Sequence, residues 1–67
     1  MKIIAADTVA GLYQVTGYAD IDQEYTAVTS SRFIEMIRRP FTGTIAAEIT
    51  DQEYSALDNE YTITPAR

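Results

Sequence analysis

The chain has 67 residues, with ten acidic against five basic side chains for a formal charge of −5, and it contains neither cysteine nor histidine. Disulfides, thiolate or imidazole metal ligands, Cys and His nucleophiles and ordinary side-chain titration near neutral pH are excluded with them. A chain this short holds a single small domain, 1–67, and surface scaling indicates that folding removes only roughly 60% of its surface from water.

Leu, Ile, Val and Phe together number fifteen. That lies just above the ~20% of composition below which charged chains tend to stay disordered. Twenty β-branched residues against two leucines lean the chain towards strands, because branched side chains lose χ1 freedom in a helix.

Lys2 to Ala6 is a short apolar run that reads as a strand, joined through Asp7-Thr8 as a hairpin to a longer one. From Val9 to Ile21 the apolar residues favour odd positions, a period of two that predicts a strand. Gly11 and Gly17 mark places for a bulge or a close backbone approach. Asp20 to Glu24 is polar enough for a turn, and Tyr25 to Thr29 reads as a third strand on its β-branched content. Ser30 and Ser31 offer oxygen acceptors to a helix start, Phe33, Ile34 and Ile37 share a face, and Pro40 follows Arg38-Arg39 at the negative end of the dipole. These signals predict a helix over 31–39.

Thr44 to Thr50 alternates, with Ile45, Ala47 and Ile49 inward and Thr44 and Glu48 outward. Thr50-Asp51-Gln52-Glu53 has the form of a capping box and opens a helix over 51–58. Glu60 to Thr64 alternates again and reads as a last strand ending at Pro65. The expected fold is a small single-sheet α+β domain, mostly antiparallel, of approximate order β-β-β-α-β-α-β with one short helix packed on one face. Phe33, Ile34 and Ile37 of that helix are expected to meet Val15, Ile45 and Ile49 of the sheet. The segment Ile21 to Val28 echoes Thr50 to Leu57 at an offset of 29 residues through a shared Asp-Gln-Glu-Tyr. Its neighbours do not match and the chain cannot hold the roughly three copies a repeat array needs, so the echo reads as chance.

Asp20, Asp22 and Glu24 alternate like the opening of a calcium loop. Such a loop needs glycine where Tyr25 stands and a bidentate carboxylate where Ser31 stands, so the stretch reads as a solvated acidic turn. Paired carboxylates also serve glycoside hydrolysis, but a chain with so few large apolar side chains hardly walls off the desolvating cleft that this requires. Arg32, Glu35, Arg38 and Arg39 fall together on the first helix and read as a salt-bridged surface. Residues 1–31 carry −3, residues 32–41 carry +2 and residues 42–67 carry −4, a polarised distribution. Among five tyrosines, Tyr18 is the candidate interface anchor, on the polar face of its strand beside the acidic turn.

The expected function is a small acidic, non-enzymatic protein-binding module that occupies a basic, nucleic-acid-binding surface of a partner protein by presenting carboxylates in place of phosphates. Small size, acidity and lack of catalytic residues match the composition of phage-encoded inhibitors such as anti-CRISPR and anti-restriction proteins, a likeness that covers no motif. The partner-binding residues are expected to be Tyr18, Asp20, Asp22, Glu24, Glu48, Asp51, Glu53, Asp58 and Glu60. No cofactor or metal is expected, the net charge argues against direct nucleic-acid binding, and no apolar run approaches a membrane span or the core of a signal peptide, which points to the cytoplasm. The alternative is a structural or assembly protein acting as a homo-oligomer, since a thin core gains from burying a strand edge against a copy of itself.

Overall fold

The computed structural model describes residues 1–65. Its elements are β1 (Lys2–Asp7), β2 (Gly11–Val15), one 3-10 turn (Tyr18–Asp20), β3 (Thr26–Ala27), α1 (Ser30–Ile37), β4 (Thr44–Ile49) and α2 (Asp51–Glu60). The strands form one sheet in the order β2-β1-β4-β3. β1 pairs antiparallel with β2 and β4, with Ile4 opposite Gln14 and Ala47, while β3 runs parallel to β4 through the α1 crossover. The α+β class and the largely antiparallel sheet therefore stand, with one parallel pair added.

Three residues, Thr8 to Ala10, turn β1 into β2, and Gly11 takes φ +87°, a left-handed conformation that closes such a loop without the steric penalty a Cβ brings. The predicted strand from Val9 to Ile21 shrinks to Gly11–Val15. Val9 sits exposed on the turn, and beyond Val15 the chain leaves the ladder to cross the face of the sheet. The third strand is likewise only Thr26–Ala27 rather than 25–29. The last predicted strand, 60–64, is not formed. Glu60 still belongs to α2, and Thr64 makes a single bridge to Tyr13 on the outer edge of β2. Ile63 is nonetheless buried, as the alternation required.

Helix α1 begins one residue before the expected start, and its cap is Thr29 rather than Ser30 or Ser31: the Thr29 hydroxyl accepts the Arg32 amide at 3.3 Å. It ends at Ile37, with the Arg38 and Arg39 amides donating to Glu35 and Met36 carbonyls before Pro40. Helix α2 opens on the predicted capping box, Glu53 N to Thr50 Oγ1 at 3.0 Å and Thr50 N to Glu53 Oε1 at 2.8 Å, and runs two residues longer than expected. Thr50→Ala is expected to lower stability by about 0.5–2 kcal/mol in denaturant unfolding. An unchanged midpoint would show that the box does not hold the helix.

Both helices, not one, pack on the same face. Phe33 of α1 and Leu57 of α2 close over Ile4, Ala6, Ile45, Ala47 and Ile49. Helix α2 is further fixed where the Tyr54 hydroxyl donates to Gln14 Oε1 at 3.1 Å and Lys2 Nζ lies 5.0 Å from the Tyr54 ring centre. Val15 is not part of this interface. It lies on the other face with Ala5 and Ala46, because the β1–β2 register places it beside Ile3. Thr44, expected outward, is buried on this second face, which is covered as well.

Candidate protein-binding face

The cover of the second face is residues 17–25. Leaving β2 after Val15, the chain makes its 3-10 turn and packs Tyr18 and Ile21 against Ala5, Val15 and Ala46, a cluster that Ile3 and Tyr13 also flank. Its far end is tied down by one side chain. Gln23 donates both to Asp7 Oδ2 and to Thr44 Oγ1, the latter at 2.8 Å, while the Thr44 hydroxyl donates to the same Asp7 oxygen at 2.9 Å. The other Asp7 oxygen accepts the amides of Val9 and Ala10 at 2.6 and 3.0 Å.

Asp7 thus links the hairpin turn, β4 and the covering segment through four donors. These hydrogen bonds, led by the Ala10 and Val9 amides and followed by Thr44 and Gln23, hold its pKa down at about 2 against an ordinary 3.8. A depressed carboxylate pKa stabilises the fold above its unfolded value, and that contribution disappears as pH falls from about 3.8 through about 2. Asp7→Asn is therefore expected to melt below the parent at neutral pH, with the gap narrowing across this acid window. A gap that stays constant with pH would detach the charge of Asp7 from the stability of the cover. Sequence reading treats Asp7 only as a turn residue; its signal is an Asx pattern, Asp7 followed by Gly11 at the hairpin end, while Gln23 and Thr44 lie too far along the chain to be inferred.

At the near end, Tyr18 stacks on Tyr25 with ring centres 5.6 Å apart and planes within 7°. Burial pushes the Tyr18 phenol above its ordinary pKa, and the neighbouring Glu48 carboxylate and Tyr25 push the same way against the Glu48 backbone. Tyr18 is thus a half-buried residue of the 3-10 turn and not the polar face of a strand. Beside it, an open groove of about 750 Å³ is lined by Tyr13, Gln14 and Val15 of β2, by Asp20 to Gln23 of the cover and by Thr64 and Pro65.

The acidic residues separate into two groups by place and occupation. Asp20, Asp22, Glu24 and Glu48 are exposed on the covered face or its covering segment, and among the described residues none forms an ion pair. On α2, Glu53 is engaged in the capping box, Asp58 accepts the Ile63 amide at 3.2 Å, and Glu60 pairs with Arg38 at 3.3 Å. Asp51 lies in the first turn of α2, where its charge suits the helix dipole. The nine residues anticipated for partner binding therefore do not form one surface. Tyr18, Asp20, Asp22, Glu24 and Glu48 share the covered face, and Asp51, Glu53, Asp58 and Glu60 belong to the helix on the opposite side.

Among the described residues, the arginines, Arg32 of α1 and Arg38 and Arg39 just after it, also lie on that opposite side. Arg32 pairs with Glu35 at 3.2 Å and Arg38 with Glu60, so α1 carries the partly compensated surface anticipated for it. Among the described residues no group of three His, Cys, Asp or Glu side chains is placed to hold a metal ion, and no helix is long and apolar enough to cross a membrane. No known protein family matches the chain, and no curated protein or solved structure resembles it significantly.

Proposed function

We propose that the chain is a non-enzymatic binding module whose covered sheet face engages a basic protein surface, one that ordinarily contacts nucleic acid. The observation supporting this reading is the separation of charge among the described residues: four exposed carboxylates that form no ion pair there on one face, and Arg32, Arg38 and Arg39 on the other. Carboxylates held on a packed segment over a sheet attract cations without the entropy cost of ordering a mobile loop at the moment of binding. A net charge of −5 adds long-range attraction for a basic partner and repulsion from nucleic acid itself. Inhibition by occupying a nucleic-acid channel is the biological role this chemistry suits, in keeping with the compositional likeness to phage-encoded inhibitors such as anti-CRISPR and anti-restriction proteins.

The test is capture from a bacterial lysate on the immobilised chain, at low and high salt, followed by elution with duplex DNA. The expected result is a nucleic-acid-binding protein retained at low salt and displaced by DNA. Retention that neither salt nor DNA reverses would contradict the reading. A second reading, self-assembly, draws on the short outer strand β3, whose Thr26 and Ala27 are exposed at a sheet edge. Under that reading the chain sediments as a dimer or larger across micromolar concentrations, and under the first it does so only with its partner.

A further inference from the structure

The covering segment, Thr16 to Tyr25, is fastened to the sheet through side chains. Among the described residues no backbone–backbone hydrogen bond joins it to a strand; those it makes, Asp20 N to Gly17 O at 3.0 Å and Ile21 N to Tyr18 O at 3.2 Å, lie within the segment. The Tyr18–Tyr25 stack is internal as well and draws its two ends together. None of its own residues is buried, yet Ala5, Val15 and Ala46 beneath it are 0%, 4% and 0% exposed. What docks it is the packing of Tyr18 and Ile21 on that floor and the reach of the Gln23 amide to Asp7 and Thr44. The main core, with Phe33 and Leu57, lies on the other face and includes no residue of the segment.

Local opening free energies within one protein run from near zero to the global value, and a segment with few buried contacts and no ladder bonds belongs to the low end. We propose that residues 16–25 form a strap that opens as one unit while the sheet and both helices stay folded, with Gln23 as its latch. Opening breaks contacts of the second face alone, because the strap's turn and its tyrosine stack travel with it. It is independent of what the chain binds. Under the acidic-face reading it carries Asp20, Asp22 and Glu24 away from Glu48, so the closed strap is the state that binds.

Two adjacent residues of β4 provide the test, since Ala46 faces the strap and Ala47 faces the helices, both fully buried. With no cysteine in the chain, Ala46→Cys and Ala47→Cys each introduce a single thiol, and its labelling by a thiol reagent reports the opening of its own face. The Ala46→Cys thiol is expected to label about tenfold or more faster than the Ala47→Cys thiol, with a weaker dependence on denaturant because less surface is exposed. Adding Gln23→Ala should speed labelling at position 46 by about three- to tenfold, as loss of a hydrogen-bonded anchor does. Adding Thr50→Ala, which loosens α2, should speed position 47 by about threefold and leave position 46 unchanged. Because the added sulfur of Ala46→Cys presses on the strap, Val15→Cys, which removes bulk from the same floor, serves as a second variant and should likewise outpace Ala47→Cys. Labelling at positions 46 and 15 with the rate and denaturant dependence of global unfolding, or equal acceleration of positions 46 and 47 by Thr50→Ala, would overturn the strap. An unchanged rate at position 46 with Gln23→Ala would overturn the latch.

Discussion

Phe33→Ala is expected to cost about 3–5 kcal/mol, the range for deleting a fully buried aromatic side chain. Phe33 has no exposed surface and is the largest side chain in the main core, where α1 meets Ile4, Ile45 and Ile49. A domain of this length has a total stability of roughly 3–10 kcal/mol, so the variant should be largely unfolded at moderate temperature. Ile37→Ala, on the same helix but only half-buried, is expected to lose less. Denaturant unfolding with both variants measures the difference. A loss below about 1 kcal/mol at Phe33 would mean that α1 is not docked as described.

The second large effect is kinetic. Replacing Asp20, Asp22 and Glu24 by Asn or Gln removes three of the four exposed carboxylates on the covered face and leaves the backbone and the Gln23 anchor intact. Association with a captured basic partner should slow by about tenfold or more at low salt, because steering depends on the local field of the face. The difference should shrink towards high salt, where the Debye length falls to about 3 Å at 1 M. Melting should change by less than about 0.5 kcal/mol, since all three side chains are exposed. Asp58→Asn with Glu60→Gln, on the helix side, should slow association by less than about twofold. Equal slowing by both variants would show that net charge, not the covered face, governs binding.

What the sequence discloses of this fold is what short-range chemistry controls. The alternation of Thr44 to Ile49 specifies β4, and the Thr50–Glu53 pair specifies the start of α2, because each depends on residues no more than a few positions apart. The shared Asp-Gln-Glu-Tyr illustrates the limit. After Thr50 it begins a helix, since a threonine oxygen accepts the Glu53 amide, whereas after Ile21, which has no such oxygen, the same residues run over the sheet as cover. Nothing local predicts that cover. It is held by Gln23 on Asp7 and Thr44, contacts 16 and 21 residues distant in the chain.

The candidate site was legible in the same partial way. Composition and position pick out the acidic residues and Tyr18. The division of those acids into an exposed face, without ion pairs among the described residues, and a structurally occupied helix depends on Arg38 reaching Glu60, 22 residues away, and on the cap that Asp58 provides for Ile63. The strand reading of residues 16–21 failed for a related reason. The apolar odd positions do bury Val15, but on the second face, and from Thr16 onward the chain fills that face instead of extending the ladder.

The account is tested most directly by amide hydrogen exchange on the chain alone and bound to its captured basic partner. Added protection is expected in residues 18–25 and around Glu48 and Tyr13, lost again at high salt, with α1 and α2 exchanging as in the free chain. Protection concentrated on α1 and α2, or unaffected by salt, would place the binding surface on the arginine side and contradict the assignment of the covered face.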